Sequence, residues 1–149
     1  MRRMLFKSHQ FSFVLFILLF AACNDPVSSI GNSHVESNAP STETFDKVLK
    51  RDLEDYFKTP GKEITINFEL LRKVATQSGV SYPKYYIWVK IRDGNLILNE
   101  GAVRVAAIGK EKFKVTDFIS KRDIQTNTVI VEHVFPKALV DIIRTRAGL

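Results

Sequence analysis

The stretch YYIWVKIRDGNLIL, Tyr85 to Leu98, decides the fold. Tyr85, Ile87, Val89 and Ile91 alternate with Tyr86, Trp88, Lys90 and Arg92, the period-two pattern of a β-strand with two unlike faces. Asp93-Gly94 supplies the turn chemistry that joins antiparallel strands, and NLIL begins the return.

Upstream, EITINFELL alternates in the same way: Ile64, Ile66, Phe68 and Leu70 oppose Thr65, Asn67 and Glu69, as in a half-buried strand. ATQSGVSYP, with Gly79 and Pro83 as breakers, reads as the loop between these strands. Downstream, GAVRVAAI and KFKVTDFI read as a second hairpin joined through Gly109-Lys110-Glu111. Glu100-Gly101 is expected to mark a bulge or bend, since an isolated glycine in a strand pattern often does.

Helices flank the strands. In TFDKVLKRDLEDYFKTPG the residues Phe45, Val48, Leu49, Leu53, Tyr56 and Phe57 form the apolar stripe of an amphipathic helix. Thr44 is its expected N-cap, with Asp46 in the first turn, and Thr59-Pro60-Gly61 ends it. Ser120 and Asp123 suit a short helical turn. Segment 129–135, VIVEHVF, fits either a strand or a buried helical piece. PKALVDIIRTRAG reads as a closing helix, with Pro136 suited to its first turn and Gly148 to its C-terminal cap. The expected class is α+β: an N-terminal helix packed on a curved antiparallel sheet of about four strands, with a C-terminal helix. In element order this resembles the cystatin-like and NTF2-like rolls, which implies a curved sheet wrapping a helix. Inhibitors, enzymes and ligand carriers share such folds, so the resemblance fixes no activity.

The first residues read differently. Arg2, Arg3 and Lys7 precede the apolar run Phe11–Ala22, whose last residues, Ala21 and Ala22, are the small residues expected before a cut site. A spanning helix needs about 20 apolar residues, so this shorter run fits the three-part pattern of a secretory signal. Phe20-Ala21-Ala22-Cys23 holds the only cysteine of the 149 residues. These four residues resemble the lipobox of bacterial lipoproteins, with Phe20 standing where an aliphatic residue is usual. The resemblance implies removal of residues 1–22, a diacylglycerol thioether on Cys23 and acylation of the new amino terminus. One acyl chain holds a membrane marginally and two or more hold it stably. Asn24 after the cysteine leans, by resemblance to the enteric sorting pattern, towards the periplasmic side of the outer membrane. Residues 23–43, rich in Ser and Asn, bury too little apolar surface to fold. As a tether they would reach about 25 Å, with His34 as a solvated linker residue. The folded part is then residues 44–149, one small domain.

Composition narrows the functions. Removing Arg2, Arg3 and Lys7 with the signal lowers the formal charge from +6 to +3, an ordinary solubility charge. Nucleic-acid binding normally shows a concentrated basic stripe, so no nucleic-acid partner is expected. The folded part has no cysteine, which excludes disulfides and cysteine-based zinc sites. No phosphate-cradling glycine loop, zinc-protease helix motif or calcium loop occurs, and no cofactor is called for.

Candidate site residues are correspondingly few. If the odd-numbered face of Tyr85–Ile91 meets the first helix, the opposite face gathers Tyr86, Trp88, Lys90, Arg92, Arg104, Lys112 and Lys114. Tyr, Trp and Arg are enriched at binding hot spots, and the cations would favour an acidic partner or anionic headgroups. The competing expectation has the C-terminal helix covering Tyr86 and Trp88, with the lysines an ordinary solvated row. His133, the single histidine of the folded part, is expected to be partly buried and satisfied rather than catalytic. Asp117 and Glu100 are the acids expected within or near the sheet; as a carboxylate pair they could serve general acid/base work if burial raised one pKa. The simpler expectation puts Glu100 in a turn and Asp117 near a strand end, each solvated or paired with a neighbouring Lys or Arg. Asp117 or His133 inside the cone under the first helix would instead make a small-ligand pocket. The partners expected are a membrane, through the lipid, and another envelope protein. The alternatives are an NTF2-like pocket protein or an inhibitor or immunity-type lipoprotein.

Overall fold

A computed structural model describes residues 39–78 and 81–149. Cys23, the signal and most of the tether lie outside them. Helix α1 (Thr42–Phe57) leads into a sheet of β1 (Ile64–Leu70), β2 (Lys84–Asp93), β3 (Leu96–Gly109) and β4 (Lys112–Ser120). Three helices close the chain: α2 (Lys121–Thr126), α3 (Ile130–Val134) and α4 (Lys137–Ala147). The strands lie in the order β1-β2-β3-β4, each antiparallel to its neighbour. The α+β class expected from the sequence is the one observed.

The pleat gives the sheet two apolar faces. Tyr85, Ile87, Val89 and Ile91 share one with Val103, Val105 and Phe113, where they meet Val48, Leu49 and Leu53 of α1. Two edge-on aromatic contacts of Phe45, with Tyr85 at 4.9 Å and Phe113 at 5.0 Å, seat the start of α1. The contact of Phe57 with Phe118, also at 4.9 Å, seats its end. Polar ties add to this: Asp52 Oδ2 accepts from the Phe113 N–H at 2.6 Å, and Arg51 Nη2 donates to the Glu111 carbonyl at 2.7 Å. The apolar stripe of α1 is narrower than its sequence suggests, because Tyr56 stands exposed.

The second face carries Tyr86, Trp88, Ala102 and Ile119 beneath Ile124, Val131, Phe135, Leu139, Val140, Ile143 and Ala147. The sheet is therefore packed on both sides, by one long helix and by a layer of three short ones. Ser120 accepts from the Asp123 N–H at 3.1 Å and starts α2, as its position in the sequence suggests. Gly148, at φ 89°, ends α4 in the left-handed conformation that favours glycine. Segment 129–135 resolves as a short helix and its flanks.

Three boundaries differ from expectation. Helix α1 starts at Thr42 with Ser41 as N-cap, not at Thr44, and Ala39 is buried against the core, so the domain reaches back beyond residue 44. NLIL and GAVRVAAI form one 14-residue strand, β3, with register shifts opposite Ile91/Arg92, at Arg104/Val105 and at Ala107/Gly109 rather than at Gly101. Gly101 has another reason to be glycine. A Cβ there would collide with the Ile119 carbonyl and lie 2.9 Å from Ser120 Cα, so its absence lets the end of β4 cross closely.

Candidate functional site

Of the face expected from alternation, only Tyr86 and Arg104 are register partners, and the C-terminal helices cover its centre. Trp88 is 2% exposed and Tyr86 4%, so neither aromatic belongs to an open binding face. Both polar handles are satisfied, as buried Trp and Tyr require. The Trp88 indole N–H donates to Glu100 Oε1 at 2.7 Å, and the Tyr86 hydroxyl lies 2.6 Å from Thr76 Oγ1. Glu100 sits within β3, directly opposite Lys90, and not in a turn. Its carboxylate also has the Lys90 and Lys121 ammoniums at 3.8 Å.

Arg104 is likewise structural. It pairs with Asp117 Oδ2 through Nε at 2.7 Å and Nη2 at 2.6 Å, and Nη1 donates to the Val134 carbonyl at 3.0 Å. One guanidinium thus ties β4 and the end of α3 to the centre of the sheet. A planar fork with five donors can serve such divergent acceptors, and an ammonium cannot. Asp117, spent in this pair, lies on the face away from α1 and not inside a cone beneath it. His133 is exposed on α3 rather than partly buried. The acid and the imidazole proposed for a pocket are therefore not gathered under the first helix.

The remaining cations divide between the two ends of the sheet. Lys90 and Arg92 lie towards the β2–β3 turn, whereas Lys112 and Lys114 are exposed near the β3–β4 turn, Lys114 opposite Ala106. The seven residues that alternation put on one face form no continuous patch. Among the described residues no group of three His, Cys, Asp or Glu side chains is placed to hold a metal ion, and no helix is long and apolar enough to cross a membrane.

One feature escaped the sequence. A cleft of about 610 Å³ opens where α1 begins, lined by Pro40, Phe45, Asp46, Leu70, Val74 and Tyr85 among others. Its walls come from distant segments. The only local hint was the alternative N-cap Ser41 ahead of Glu43, which would have drawn Ala39 and Pro40 into the domain.

Among the described residues, one ion pair with shifted titration joins the layers at the sheet edge. Arg146 of α4 grips Glu69 of β1 with two hydrogen bonds, Nη1 to Oε2 at 2.5 Å and Nη2 to Oε1. The donated bonds hold the Glu69 carboxyl below its ordinary value of 4.5 and raise the Arg146 guanidinium. Comparison of the chain with protein-family models, curated proteins and solved structures finds no match.

Proposed function

We propose that the chain is an exported bacterial lipoprotein, held to a membrane of the cell envelope through Cys23, whose domain works by binding as an accessory or scaffold module. The anchor rests on the sequence: the single thiol stands at the one position that lipidation uses, after a basic and then an apolar segment. The binding role rests on one structural observation, the filled space between α1 and the sheet. Leu49, Leu53, Ile87, Val89, Val103 and Val105 are each fully buried there. A pocket protein built on a helix-wrapping sheet needs room beneath the middle of its helix, where these six aliphatic side chains are buried; none of them lines the cleft at the start of α1.

The anchor is tested by labelling cells with radioactive palmitate and separating their membranes. The chain should carry label and fractionate with a membrane, the outer one in a cell that has two. Cys23→Ala should abolish the label. An unlabelled wild-type chain in the soluble fraction would refute the reading.

The cleft beside α1 favours a second reading, a module for a small, largely apolar ligand. A ligand that raises the melting temperature of the native chain, but not of Val74→Trp, would establish it.

A further inference from the structure

The sheet has two edges, β1 and β4, and among the described residues only β4 carries protective features. Exposed lysines and bulges keep edge strands from pairing with other chains. β4 has exposed Lys112 and Lys114, a register shift opposite Arg104/Val105, and an N–H at Phe113 already taken by Asp52. β1 has none of these. Ile64–Leu70 pairs with β2 through seven consecutive residues without a shift and contains no Lys, Arg, Pro or Gly.

The direction of the free backbone groups follows from one hydrogen bond. Leu71 N–H donates to the Tyr86 carbonyl at 2.9 Å. Antiparallel neighbours alternate between bonded and non-bonded pairs, so Glu69, Asn67 and Thr65 also turn their backbone groups towards β2. Ile64, Ile66, Phe68 and Leu70 direct theirs to the open edge. On the α1 side, Ile64, Phe68 and Leu70 are only half-buried, with apolar surface still to cover.

We propose that β1 is a dimerisation strand: two copies pair antiparallel through Ile64–Leu70 about a two-fold axis at Asn67, joining their sheets into one. This register is self-complementary, as an isologous contact requires. Ile64 meets Leu70 of the second copy and Ile66 meets Phe68, apolar against apolar on the α1 side. On the other side Thr65 meets Glu69, and Asn67 meets itself. The only charge within the strand, Glu69, is already neutralised by Arg146 of its own chain. Centring the axis on Ile66 instead would oppose Glu69 to Glu63, and centring it on Phe68 would oppose Ile64 to Arg72; both are poorer cross-strand pairs. Lys62 and Arg72 oppose one another just beyond the paired residues, where solvent and salt screen them.

Asn67 on the axis would be a non-hydrogen-bonded pair with Cα atoms about 4.5 Å apart, within disulfide range. The full chain carrying Asn67→Cys, oxidised in intact envelopes, should run as a disulfide dimer. The native chain, with Cys23 alone, and Thr65→Cys should not. In detergent the purified native chain should sediment as a dimer, and Asn67→Lys, which sets two cations on the axis at an exposed position, as a monomer that keeps the native circular-dichroism spectrum. A native chain that sediments as a monomer at its highest soluble concentration, or Asn67→Cys that crosslinks no more than Thr65→Cys, would overturn the proposal.

Discussion

Trp88 and Glu100, on adjacent strands, are joined by a 2.7 Å hydrogen bond from the indole N–H to a carboxylate that also neighbours Lys90 and Lys121. The bond lets the chain bury its single tryptophan under the C-terminal helices, and it gives a mid-strand acid a structural task. Two substitutions separate its parts. Glu100→Gln keeps an acceptor for the indole and gives up only partly exposed ion pairs, which contribute about 0–1 kcal/mol. Glu100→Leu leaves the N–H unsatisfied and should cost about 1–3 kcal/mol. Urea unfolding followed by tryptophan fluorescence measures both, and equal losses would refute the assignment.

Trp88→Ala tests whether the second face is core or recognition surface. Removing a ring that is 2% exposed should destabilise by about 3–5 kcal/mol and lower the melting temperature steeply. A variant with native stability would mean that the helical layer does not pack on this face.

Gly101→Ala should destabilise by about 1–3 kcal/mol, although alanine is otherwise tolerated in strands, because the new methyl group meets the Ile119 carbonyl and Ser120. Gly109→Ala, with open space around it, is the matched control and should be near neutral. Calorimetry of the pair decides the point.

Glu69 links stability to acidity. Its folded-state carboxyl titrates below the ordinary 4.5, held down first by the Arg146 hydrogen bonds. The unfolded chain therefore binds the proton more readily, so the contribution is fully present above about pH 4.5 and is lost as the pH falls through the lower folded value. A carboxyl-detected NMR titration should place the Glu69 midpoint below 4.5 in the native chain and return it towards 4.5 in Arg146→Ala. Coincident midpoints would show that the pair does not form in solution.

These sites show how far the sequence could be read. Period-two alternation placed Tyr85 and Tyr86 on opposite faces, and Asp93-Gly94 fixed the hairpin, because both signals are local. Alternation could not say what covers a face. Leu139, Val140 and Ile143 proclaim an apolar helix, but only the path of the chain through α2 and α3 lays it over Trp88. Gly101 looked like a break in a strand, whereas its cause is a close approach from Ile119 and Ser120, far along the chain. Segment 129–135 is apolar in either conformation, so periodicity had nothing to decide it. A Lys or Arg partner for Asp117 was expected, but that the partner is Arg104, thirteen residues away, was beyond the reach of alternation, and the cleft beside α1 brings together segments distant along the chain.

The most direct test of the anchor is the mass of the amino-terminal peptide from chains purified out of native membranes. The account predicts a mature chain that begins at Cys23 and carries a diacylglyceryl thioether and an amide-linked acyl group. A chain that begins at Met1, or one cleaved nearby with an unmodified thiol, would contradict it.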